Sequence, residues 1–103
     1  MKLLEIIELR TAAGNTAPVE DFLRDWIRES GKGARIVRSY RHVNIETDYC
    51  IHLNYISDTN YSGMSSAGRQ LADACKEFGL VNHSTWVEHD FNGENGNYEK
   101  RND

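Results

Sequence analysis

The stretch Arg35-Ile-Val-Arg-Ser-Tyr-Arg-His-Val-Asn-Ile-Glu-Thr-Asp-Tyr-Cys-Ile-His-Leu-Asn-Tyr-Ile56 decides the fold. Its second half alternates large apolar with polar side chains, the signature of a strand with two unlike faces. Tyr49, Ile51, Leu53 and Tyr55 fall on one face, and Cys50, His52, Asn54 and Ile56 on the other. Glu46-Thr47-Asp48 reads as the turn of a hairpin. A three-residue loop there pairs Ile45 with Tyr49, Val43 with Ile51 and His42 with His52. That register sets apolar against apolar and polar against polar, whereas a two-residue loop mixes them. Arg38, Tyr40, His42, Asn44, Cys50, His52 and Asn54 then share one sheet surface. That surface would serve as a ligand-cavity wall, or as a polar surface or subunit interface.

Working outward, Leu3 to Arg10 reads as a strand with apolar groups on both parities: Leu3, Ile7 and Leu9 on one, Leu4 and Ile6 on the other. A strand apolar on both faces is central and covered on both sides. Thr16 is a helix-capping residue with Pro18 in the first turn. Val19, Phe22, Leu23, Trp26 and Ile27 follow as one helical stripe. Glu20 and Arg24 stand four apart, as an exposed ion pair would. After the hairpin, Ser57 to Gly63 reads as a polar loop containing Tyr61. A second helix is predicted over about Ser65 to Phe78, with Gly79 as its stop. Its stripe of Met64, Ala67, Leu71, Cys75 and Phe78 makes Cys75 a packed, inert thiol. Asn82 to Phe91 is the last predicted strand. On it Trp86 stands among polar neighbours, as a partner contact or a pocket wall.

The order strand, helix, strand, strand, helix, strand is the split βαβ, ferredoxin-like arrangement, an α+β class with an antiparallel sheet. Right-handed crossovers put the first and third strands in the centre. Two helices cover one face of such a sheet. The apolar second parity of the first strand then predicts that a second copy covers the other, giving a homodimer. One domain, residues 1–91, is expected, with a flexible polar tail over residues 92–103.

Composition narrows the function classes. With 39% apolar and 27% charged residues, the chain reads as a globular domain rather than a disordered one. A net charge of −4 with no basic stripe argues against nucleic acid as a partner. No apolar run reaches membrane-spanning length. The opening run is interrupted by Glu5 and Glu8, unlike a signal peptide. Cys50 and Cys75 are too few for a disulfide framework, and two free thiols suit a reducing, cytoplasmic setting.

The element order, the opening Leu-Leu-Glu-Ile-Ile-Glu-Leu-Arg and the closing His-Ser-Thr-Trp-Val-Glu-His resemble the dimeric α/β-barrel superfamily. Within it the nearest subgroup is the antibiotic-biosynthesis-monooxygenase-like domain, and the likeness spans residues 1 to about 91. The resemblance implies a homodimeric barrel of about eight strands and an aromatic-lined pocket between sheet and helices. Some members oxidise phenolic or quinol-type small molecules with O₂ and no cofactor; others bind and degrade haem.

A cofactor-free oxygenase needs a base to deprotonate the substrate and donors to hold the resulting anion. His52 and Asn54, with Tyr40 and Arg38 beside them on the hairpin, are the catalytic candidates. Tyr55, Tyr61, His83 and Trp86 are the substrate-binding candidates. If the pocket lies on the helix side, the tyrosines outweigh His52. No cofactor is expected: neither predicted helix carries a histidine to serve as a haem ligand. No metal is expected either. Cys50 and His52, about 7 Å apart along a strand face, could share an ion with His42 opposite, but no acidic residue completes the set, and His83 and His89, about 20 Å apart, cannot converge. Competing readings are a non-catalytic small-molecule-binding or assembly module of the same fold, or an isomerase or decarboxylase of the same group.

Overall fold

The computed structural model describes residues 1–30, 36–57 and 65–89. In chain order they form β1 (Lys2–Thr11), α1 (Thr16–Ser30), β2 (Ile36–Arg41), β3 (Asp48–Ile56), α2 (Ser66–Cys75) and β4 (Gly79–Val87). The four strands make one antiparallel sheet in the order β2-β3-β1-β4. This is the ferredoxin-like arrangement, with β1 and β3 in the centre. The predicted tail from residue 92 and the loop residue Tyr61 lie outside the described residues.

Both helices lie on one face of the sheet. Leu3, Ile7 and Leu9 of β1 and Tyr49, Ile51 and Leu53 of β3 point to them, and Val19, Leu23, Leu71, Ala72 and Cys75 meet them from the helices. Burial of such side chains contributes about 1.5–3 kcal/mol each. Trp26 packs partly buried against this core, and Cys75 is fully enclosed, its thiol pushed up to about 11 by burial. At the end of β1, Thr11 Oγ1 donates to the Phe78 carbonyl (2.8 Å). There a Cβ on Gly79 would stand 2.1 Å from the Arg10 carbonyl oxygen, so only glycine lets β4 start this close to β1.

The hairpin register differs from the sequence expectation. His52 faces Arg38 rather than His42, and Tyr49 faces Arg41 rather than Ile45, a shift of four residues. The cause is local. His42 Nδ1 accepts from the amides of Asn44 (3.0 Å) and Ile45 (3.1 Å), curling residues 42–47 into a loop that leaves the ladder. Asp48 is held instead by β1, through two bonds from Arg10 at 2.7 and 2.8 Å. The Arg10 guanidinium draws the Asp48 carboxyl below its ordinary range. Because the shift is even, every strand residue keeps its face.

Two further boundaries moved. α2 stops at Cys75, and β4 begins at Gly79 rather than Asn82, because pairing with β1 extends back to Thr11. Glu20 is also not the partner of Arg24. It accepts from the Tyr49 hydroxyl (2.9 Å) and lies 3.7 Å from Arg41, while Arg24 binds Asp21 at 2.9 Å. Burial first, and then the Glu20 carboxylate, push the Tyr49 phenol up to about 12.

Among the described residues no helix lies on the opposite sheet face. Ile36, Ile56, Leu80 and Trp86 stand on it exposed, Leu80 to 75% and Trp86 to 58%. Among the described residues no helix is long and apolar enough to cross a membrane.

Candidate functional site

The candidate residues divide between the two faces. Arg38, Tyr40, His52 and Asn54 lie on the open face, where the Tyr40 and His52 rings meet edge to face at 4.9 Å. Trp86 shares that face on β4, its Nε1 donating to Ser84 Oγ at 2.9 Å. Tyr55 and His83 point to the helix side.

There they meet a residue that the sequence reading passed over. Glu5 stands on β1 in the same row as Leu3, Ile7 and Leu9, and it is completely buried. Its carboxylate gathers partners from three directions. Oε1 lies 2.8 Å from His83 Nε2 on β4. Oε2 accepts from the Tyr55 hydroxyl on β3 at 2.5 Å and from the Ser65 amide at 2.9 Å. Ser65 also gives Glu5 a side-chain hydrogen bond, while its Oγ accepts from Gly68 N at 2.9 Å and so caps α2. Gly68 is buried directly over the carboxylate.

The electrostatics follow from this geometry. Burial pushes the Glu5 carboxyl up, but hydrogen bonds from Ser65, Tyr55 and His83 outweigh it, and the net direction is down from 4.5. The α2 N-terminus adds its partial positive charge on the same side. Glu5 is therefore an ionised carboxylate in the interior. Such a charge persists only when its acceptor sites are filled, as they are here.

Among the described residues two well-formed grooves stand out, and neither is lined by this cluster. One, of about 420 Å³ at the end of the sheet, is bordered by Glu8, Arg10, Tyr40, Cys50 and Leu80. Burial and then Glu8 push the Cys50 thiol up, which suppresses thiolate chemistry there. The other, of about 520 Å³, lies between α1 and β2 beside Glu20, Ile27 and Arg41. Among the described residues no three His, Cys, Asp or Glu side chains converge as a metal-ligand set.

The backbone matches the crystal structure of a Bordetella bronchiseptica protein provisionally named an antibiotic biosynthesis monooxygenase. The two chains share the ferredoxin-like fold. The TM-score is 0.55 at 18% identity, over 84% of this chain and 98% of the other. No protein-family model matches the chain, and neither does any curated protein. At that identity the likeness concerns the path of the backbone and leaves the chemistry to be argued from this chain's side chains.

Proposed function

We propose that the chain is a cofactor-independent monooxygenase that takes a phenolic or quinol-type small molecule on the helix side of its sheet. The observation that carries this reading is the imidazole of His83 held at 2.8 Å by the buried Glu5 carboxylate, with the Tyr55 phenol on the same carboxylate. The fold shared with the Bordetella protein supports it. In this scheme His83 takes a proton from the substrate, and the substrate anion passes an electron to O₂. The resulting radicals join through a new carbon–oxygen bond, and the peroxide breaks down with loss of water. One oxygen atom ends on the substrate as a carbonyl and the other leaves in water, so a CH₂ group and O₂ become C=O and H₂O. His83 returns its proton to the departing water. Arg38, Tyr40, His52 and Asn54 belong to a different face and have no part in this route.

Oxygen uptake on a panel of hydroquinones and phenols tests the proposal. The wild type should consume O₂, His83→Ala should lose about 100-fold in kcat, and His52→Ala/Asn54→Ala should retain turnover. The reverse ranking moves the chemistry to the open face. No uptake by folded wild-type protein on any substrate sinks the oxygenase. One observation favours a second reading, a non-catalytic binding or assembly module: both Glu5 oxygens are already filled by the protein's own donors. In that case the wild type binds phenols without turning them over.

We also propose that the open face is covered by a second copy of the chain. Ile36, Ile56, Leu80 and Trp86 would otherwise each stand exposed to water on that face. Sedimentation at micromolar concentration should give a dimer. Leu80→Asp/Trp86→Asp should give a folded monomer or a dissociation constant raised at least tenfold. A monomeric wild type refutes the arrangement.

A further inference from the structure

We infer that Glu5 is a positioning residue that fixes which ring nitrogen of His83 carries the hydrogen. This rests on the reading of His83 as the base and adds what makes it one. The Ser65 amide can only donate. It points at Oε2, which also receives the Tyr55 hydroxyl. The amide contact requires an acceptor at that position, and the hydroxyl donates to the same atom. The remaining oxygen, Oε1, faces His83 Nε2 at 2.8 Å with the His83 side chain 9% exposed and Glu5 fully buried. A carboxylate has no hydrogen to give, so the hydrogen of this bond belongs to Nε2. In the neutral ring Nδ1 is then left as the lone-pair nitrogen, which is the one able to accept a proton. The titratable groups meeting at the carboxylate are His83 from β4 and Tyr55 from β3. Among the described residues the α2 side contributes Ser65 and Gly68.

Glu5→Gln isolates this role because it preserves shape. The oxygen of the new side-chain amide has to take the Oε2 position, since the Ser65 amide still needs an acceptor. The NH₂ group then faces His83 Nε2, which must become an acceptor, and the hydrogen moves to Nδ1. The base nitrogen is lost while substrate contacts remain. An aspartate-to-asparagine change beside a catalytic histidine elsewhere lowers kcat about 10⁴-fold by this inversion.

The experiment is a long-range ¹H–¹⁵N correlation spectrum of the four histidines, with His83→Gln used for assignment. In the wild type His83 should show the Nε2–H tautomer, and in Glu5→Gln the Nδ1–H tautomer. Oxygen uptake by the same variant should fall at least 100-fold in kcat with KM within about threefold. A wild-type Nδ1–H tautomer overturns the inference, as does an unchanged tautomer in folded Glu5→Gln. If that variant fails to fold, the wild-type spectrum alone decides. The spectra need no turnover: absent O₂ uptake with the tautomers as expected refutes the oxygenase and leaves the positioning role standing.

Discussion

Gly68→Ala should destabilise the protein by about 3 kcal/mol, against every expectation from helix propensity. In an exposed helix interior, replacing glycine by alanine stabilises by about 1 kcal/mol. Here the added Cβ would stand 1.8 Å from Glu5 Oε1, 2.8 Å from Glu5 Cδ and 3.1 Å from His83 Nε2. The carboxylate cannot retreat, because His83, Tyr55 and Ser65 hold it. Either α2 lifts off the sheet or the hydrogen bonds break, and overpacking of this kind costs about 1–3 kcal/mol, occasionally more. Urea unfolding should show the midpoint falling, with a melting temperature about 10–20 °C lower. Gly68→Ala/Glu5→Ala should be damaged less than the sum of its two single variants, because the clash is gone. A single Gly68→Ala variant as stable as the wild type would show that α2 does not rest on the carboxylate.

The fold was legible because its signals were redundant. Alternation at Tyr49–Tyr55, the stripe Val19–Ile27 and the doubly apolar Leu3–Leu9 each point to the same element order. The hairpin register was not legible, since the deciding contacts are the Asn44 and Ile45 amides on His42 and the grip of Arg10 on Asp48. The first is a side-chain geometry, and the second joins residues far apart in the chain. The face assignment survived the misread register, because parity depends on whether a shift is even and not on its size.

The candidate site was legible only in part, for a related reason. Tyr55 and His83 could be picked out as residues able to contact a ligand, but nothing in the order of residues says that they meet. What joins them is Glu5, which reads as an ordinary interruption of an apolar run. One signal was present: Glu5 sits on the parity of Leu3, Ile7 and Leu9, so an inward charge was implied once that row was buried. An inward carboxylate on a central strand needs donors from neighbouring elements. Those donors here lie at positions 55, 65 and 83, which only the tertiary structure brings together.

Glu5→Leu should cost about 3–5 kcal/mol, the range for removing one partner of a buried charged network. The leucine has nearly the right volume, so a cavity is not the main reason. The Ser65 amide, the Tyr55 hydroxyl and His83 Nε2 all lose their acceptor inside the protein, and each buried donor left unmade costs about 1–3 kcal/mol. If that is the reason, removing donors should restore stability. Glu5→Leu/Tyr55→Phe/His83→Leu should recover at least half of the loss, while leaving the Ser65 amide unpaired. The deficit should also depend on pH. The folded chain holds the Glu5 carboxyl below its ordinary 4.5, so on acidification the unfolded chain takes up the proton first. The stability contributed by its ionisation is complete above that value and drains away as the pH falls through the lower, folded one. The gap between wild type and Glu5→Leu, measured by urea unfolding, should therefore be constant from pH 7 to pH 6 and narrow below about pH 4.5. A gap that widens on acidification would mean that folding raises the carboxyl's affinity for a proton instead of lowering it.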